Sequence, residues 1–189
     1  MPNMPDAPAE QYEALFGSDT PRNLRVYAHS PEIAQGFAAF AGVVMGPTGQ
    51  LSDRLKELVR LRVAFHNQCR SCMALRYLPE DEVSEDLVCS LEKPSEADDL
   101  TEEEQAALEY ADRMANNHLS VDGDFYEGLR KYFTNQQLVE LGTLVALCIG
   151  FGRLDSSWLL TDQVPEHFTS VDQVVTPWGA TEVIRPGRS

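Results

Sequence analysis

The chain has 189 residues, with 30 acidic against 15 basic side chains and a formal charge of −15. That balance argues against phosphate-backbone binding, which needs clustered Lys and Arg, and against an anionic membrane surface. A hydrophobic fraction of 43% with ordinary Gly and Pro content fits one globular domain, or two helical halves sharing a core, long enough to need no staples.

The periodicity is helical almost throughout, with no alternating strand, and predicts an all-α fold. The first residues, Met-Pro-Asn-Met-Pro-Asp-Ala-Pro, carry neither a basic nor an apolar export region. Residues 1–20 read as a flexible N-terminal segment, 21–160 as a single helical domain, and 161–189 as a tail or arm. Ser30-Pro31 opens a helix, with Ser as N-cap and Pro at the first helical position. Ile33, Phe37, Phe40, Ala41 and Val44 then form an apolar stripe that Gly46-Pro47 ends. The next helix is expected from about Ser52 to Phe65. Leu51, Leu55, Leu58 and Val59 face its core side, and Arg54, Glu57 and Arg60 lie elsewhere on its surface. His66-Asn67-Gln68 reads as a break, followed by a helix from Cys69 to Tyr77 that Pro79 ends.

An acidic stretch at about 79–100 joins two halves and holds one short amphipathic piece, Ser84 to Leu91. Its carboxylates are expected to be solvated. Thr101-Glu-Glu-Glu104 is a capping box, in which each side chain satisfies an orphan backbone N–H of the other residue. It opens a helix to about Asn117. A shorter helix follows Asp122, and Thr134-Asn-Gln-Gln137 is a second capping box. The helix it opens is apolar on nearly every side from Leu141 to Gly152, so burial all round is expected, within the domain or between subunits. That uncharged run of twelve residues is too short to cross a bilayer. The tail is expected to be extended or turn-like, lying over the surface or on a neighbouring subunit. With no export signal, a cytoplasmic location is expected, where structural disulfides are rare.

The chemistry-bearing feature is Cys69-Arg70-Ser71-Cys72, which begins twelve residues after Glu57. At helical spacing i and i+3 share a face, so the two sulfurs can reach disulfide distance. A helix start at Cys69, with Arg70 and Arg76 nearby, would favour a thiolate. A thiolate attacks a peroxide O–O bond, a second thiol condenses with the sulfenic acid, and an external dithiol resets the pair. Glu57 is placed to accept a proton or hold a water, and an apolar setting would raise its pKa towards that task. Cys89 and Cys148 read as core filler. A zinc site needs four ligands, and no second Cys-x-x-Cys or His-x-x-x-His is present, so neither metal nor cofactor is expected.

The stretch Lys56-Glu-Leu-Val-Arg-Leu-Arg-Val-Ala-Phe-His-Asn-Gln-Cys-Arg-Ser-Cys72 resembles the core motif of the alkylhydroperoxidase D-like, carboxymuconolactone decarboxylase family. Residues 29–33, Thr101-Glu-Glu-Glu-Gln-Ala, Phe125-Tyr-Glu-Gly-Leu and the run from Leu138 to Leu154 extend the likeness over about 22–160. The resemblance implies an all-helical fold assembling as dimers, trimers or hexamers. It implies reduction of a small hydroperoxide, with Cys72 as the peroxidatic cysteine, Cys69 as the resolving one and Glu57 as the proton-relay carboxylate. Two positions depart from the peroxidase pattern. Ser71 and Arg76 stand where His is usual, and an Arg cannot shuttle a proton near neutral pH. His66 is a substitute if its ring points inward. The leading reading is a thiol-dependent peroxide reductase. The alternatives are a redox-responsive oligomer with little turnover, and a cofactor-free lyase, against which the cysteine pair speaks.

Overall fold

The computed structural model describes residues 2–185. Among them nine α-helices follow in order: α1 (Ala9–Phe16), α2 (Arg22–Tyr27), α3 (Pro31–Met45), α4 (Asp53–Asn67), α5 (Arg70–Ala74), α6 (Glu85–Cys89), α7 (Glu102–Asn116), α8 (Gly123–Leu129) and α9 (Asn135–Trp158). No strand forms among the described residues beyond one isolated parallel bridge, Leu75 to Ile184.

Local side-chain chemistry sets most of the helix starts. Ser52, Ser84 and Asp122 accept hydrogen bonds from backbone N–H groups in the first turns of α4, α6 and α8. Both capping boxes form, Thr101 with Glu104 and Thr134 with Gln137. Ser30 occupies the N-cap of α3 and Pro31 its first position, although the Ser30 side chain makes no capping bond.

Helix α4 is the centre of the fold, with α7 and α9 packed along it. Leu55, Leu58, Val59, Leu61 and Val63 are buried there with Leu108, Ala111, Leu141, Leu144 and Val145. Helices α4 and α9 approach closely at Gly152, where an added Cβ would lie 2.5 Å from the Asn67 amide nitrogen. Asn67 uses this closeness: it donates to the Cys148 carbonyl at 2.8 Å and accepts from Arg153 at 3.2 Å.

The α3 stripe is only partly covered: Phe37 stacks on Tyr27 and Val44 packs against the core, while Ile33 is 60% exposed and Phe40 is also exposed. Three expectations are corrected. Burial of α9 all round within the domain does not hold, since Ala146 and Gly150 are open, as are Val139 and Leu154 on either side of the expected stretch. At 24 residues and a mean hydropathy of 1.4, α9 is long and apolar enough to cross a membrane. Here, however, its inner side is occupied by α4, α7 and α5. The N-terminal residues are engaged: Ala7 is buried and the Asn3 backbone N–H donates to the Trp158 carbonyl. Finally, the helix expected from Cys69 to Tyr77 is the five-residue α5. The tail takes over its backbone bonds, because Ile184 N–H donates to Ala74 and Arg76 N–H donates to the Ile184 carbonyl.

Candidate active site

Cys69 and Cys72 form a disulfide, with Cα atoms 5.2 Å apart. The spacing is possible because Gln68 adopts a left-handed conformation (φ 52°), ending α4 and turning the chain directly into α5. Cys69 is fully enclosed and Cys72 half-buried. Ser71 Oγ lies 3.6 Å from Cys69 Sγ.

Glu57 and Arg60 are both buried, contrary to their expected surface placement, and Glu57 is only 2% exposed. They lie one turn apart on α4, so their side chains meet. Arg60 Nε donates to Glu57 Oε2 at 2.9 Å and Nη2 to Oε1 at 2.8 Å, a bidentate pair. The Tyr77 backbone N–H adds a third bond to Oε1 at 3.0 Å. The carboxylate therefore sits in a polar setting, not the apolar one that would raise its pKa. Arg60 also connects it to the cysteine segment, donating to the Cys72 carbonyl at 2.7 Å and the Leu75 carbonyl at 2.8 Å. The Tyr77 ring covers the guanidinium at 4.7 Å. A cavity of about 470 Å³ beside Met45, Pro47 and Leu78 opens onto Glu57 and Tyr77.

The other expected helpers are turned elsewhere. Arg76 is wholly buried, bidentate to Glu85 and donating to the carbonyls of Met73, Leu75 and Pro177. Arg70 donates to Ser170, Gln173 and Gln68 carbonyls, and burial lowers its pKa. Their donors hold backbone carbonyls, Glu85 and Gln68 rather than a sulfur. His66 is bound to Asp112 at 2.6 Å, with Asn116 at its other nitrogen. Cys89 is exposed rather than the filler expected, whereas Cys148 is partly buried against the core. Burial pushes the Cys148 thiol up to about 11 against the opposing charge of Arg60. Not all the acids of the connecting stretch and the start of α7 are solvated: Glu85 binds Arg76 and Arg185, and Glu104 is buried against Arg54.

Sequence reasoning missed Asp155, which is only 6% exposed on α9. It accepts from Asn23 and Tyr27 of α2, each at 3.2 Å. Burial raises its carboxyl to about 7, and those two bonds offset only part of the effect. The available signal was its isolation, as the single acid between Leu141 and Trp158. Among the described residues, no group of three or more His, Cys, Asp or Glu side chains has the arrangement of a metal site.

The site sits on a central helix carrying a buried carboxylate–guanidinium pair and a short helix holding a Cys-x-x-Cys disulfide, within an all-helical fold. Three solved structures share that fold. A peroxidase-related protein from Silicibacter sp. TM1040 superposes with TM-score 0.65 at 18% identity, covering 85% of this chain and 84% of that one. An alkylhydroperoxidase AhpD core protein, peroxidase-related, from Ralstonia eutropha JMP134 gives 0.64 at 17% identity, covering 89% and 94%. A candidate antioxidant-defence AhpD protein from Agrobacterium tumefaciens gives 0.62 at 23% identity, covering 74% and 95%. At these identities the likeness establishes the fold. No curated protein matches the sequence. Residues 31–113 match the carboxymuconolactone decarboxylase family model. The matched span contains Glu57, Cys69 and Cys72 and ends within α7.

Proposed function

We propose that this protein is a thiol-dependent hydroperoxide reductase in which Cys72 attacks, Cys69 resolves and Glu57 relays protons. The observation that carries the reading is the Cys69–Cys72 disulfide tied through Arg60 to the buried Glu57. In the reduced pair, the Cys72 thiolate attacks one peroxide oxygen and the O–O bond breaks. The alcohol leaves with a proton, and Cys72 becomes a sulfenic acid. The Cys69 thiol condenses with it, forming the disulfide and releasing water. An external dithiol then returns two electrons and two protons, becoming a disulfide itself. The greater exposure of Cys72 supports its role as the attacking sulfur. The cavity beside Glu57 is roomy enough to admit solvent, through which the carboxylate would exchange protons.

The test is hydroperoxide consumption with cumene hydroperoxide and dithiothreitol. Cys72→Ser is expected to abolish it, and equal rates for variant and wild type would sink the assignment. A lyase of the decarboxylase type would survive loss of both cysteines.

The reading includes self-association and a cytoplasmic setting that keeps the pair cycling. An open groove of about 860 Å³ runs between α3, α7, α8 and α9, walled by Phe40, Tyr110, Leu138 and Phe151. The outer face of α3 beside it bears Ile33, Phe40 and Val43, and α3 has Glu32 as its one charged residue. In a chain of charge −15, two copies meet with least repulsion on such a face. Val43→Asp is expected to reduce the molar mass measured by light scattering, and an unchanged mass removes this face from the interface. The arrangement of Arg76 and His66, both engaged away from the sulfurs, favours a second reading: a disulfide that alters assembly with negligible turnover. Sedimentation of the oxidised and reduced forms separates the two.

A further inference from the structure

The tail does more than cover the surface. Residues 164–184 return to the cysteine segment and fasten to it on both sides of each sulfur. Gln68, just before Cys69, makes two bonds to the Val175 backbone: Oε1 accepts from its N–H at 3.0 Å and Nε2 donates to its carbonyl at 3.1 Å. Arg70, between the cysteines, donates to the Ser170 carbonyl at 2.8 Å and the Gln173 carbonyl at 3.0 Å. Arg76, beyond Cys72, donates to the Pro177 carbonyl at 2.7 Å. Ile184 pairs with Leu75 across the bridge. Phe168 and Val175 are buried against Ala64, Met73 and Ala74, and Cys72 packs against the same cluster. Two arginines are thus desolvated to hold backbone carbonyls of one crossing segment.

We propose that residues 164–184 are a strap that determines which dithiols re-reduce the Cys69–Cys72 disulfide. The proposal rests on the redox reading of the pair. Cys69 is enclosed, so the attacking thiolate must reach Cys72 Sγ. It forms a mixed disulfide there while Cys69 leaves as a thiolate. The reductant's second thiol then closes on the first, and Cys72 leaves as the second thiolate, so two electrons and two protons pass to the pair. A small dithiol reaches half-exposed Cys72 with the strap docked. A globular dithiol protein has to seat its backbone over Cys72, against which the strap's own cluster packs, so the strap has to lift first. Arg70, Gln68 and Phe168 are specificity-determining positions that act through the strap.

The test uses the full oxidised chain, with dithiothreitol and reduced thioredoxin as probes and loss of the disulfide scored by thiol titration. For the wild type, the rate is expected to rise linearly with dithiothreitol but to level off with thioredoxin. The plateau should match the opening rate that hydrogen exchange reports for the Val175 and Ile184 amides. Phe168→Ala and Arg70→Ala should raise the thioredoxin rate at least tenfold and the dithiothreitol rate less than threefold. A linear thioredoxin dependence in the wild type, or equal acceleration with both probes, overturns the strap. If oxidation produces no Cys69–Cys72 disulfide, the redox reading falls and the strap with it. Absent peroxide turnover with a gated disulfide would remove only the peroxidase assignment.

Discussion

Helices α4 and α9 each bury one carboxylate, and they do so in opposite ways. On α4, Glu57 meets a guanidinium one turn along its own helix and both oxygens are occupied. On α9, Asp155 meets only the neutral Asn23 and Tyr27 of α2, and burial lifts its carboxyl to about 7. The difference lies in what each neighbour supplies. A bidentate cation compensates a buried negative charge and leaves a rigid ion pair. Two neutral donors compensate it incompletely, so near neutral pH the group takes up a proton instead. The first arrangement holds the carboxylate in one position beside the cysteine segment. The second makes the α2–α9 contact sensitive to pH.

The comparison is broken most severely by removing the cation. Arg60→Met leaves Glu57 buried without a counter-charge and strips the Cys72 and Leu75 carbonyls of their donor. A loss of about 3–5 kcal/mol is expected, read by urea unfolding; a loss below about 1 kcal/mol would make the pair dispensable.

Asp155→Asn tests the other side. The folded carboxyl titrates at about 7 against a reference of 3.8. The folded state therefore holds its proton more tightly than the unfolded one. This contribution favours folding below about pH 4 and is lost as pH rises towards 7, by roughly 4 kcal/mol in total. The variant should lose that decline and gain stability relative to wild type at pH 8. Parallel stability curves from pH 4 to 8 would contradict the assignment.

Glu57→Gln sharpens the functional half of the comparison. If Glu57 relays protons, hydroperoxide turnover falls by about 100-fold, while thiol titration still finds a reducible Cys69–Cys72 pair. Turnover within threefold of wild type would confine Glu57 to holding Arg60. The smallest effect belongs to Tyr27→Phe. It removes one bond to Asp155 and should cost about 1 kcal/mol. Because that bond lowers the carboxyl's pKa, its loss moves the Asp155 titration upward, as carboxyl NMR would detect.

Which parts of this were legible beforehand follows from the range of the interactions. Ser52, Ser84, Thr101, Asp122 and Thr134 bond to backbone groups three residues away, and all five helix starts could be read from the sequence. The Cys69–Cys72 pairing is equally local, set by a spacing of three residues. Even the Glu57–Arg60 pair has that spacing, but its burial depended on α7 and α9 enclosing α4. Tertiary structure alone decided the rest. Gln68 and Val175 meet across 107 positions, and Arg76 and Pro177 across 101. Contacts of that range engage Arg70 of α5 and Arg76 beyond it with the tail rather than with the sulfurs. Sequence alone likewise marked α3 and α9 as apolar, whereas only their packing showed which side of each lacks a partner within the chain. Hydrogen bonds between near neighbours are determined by residue type and spacing. The orientation of a long, charged side chain is determined by whichever distant backbone arrives to accept its donors.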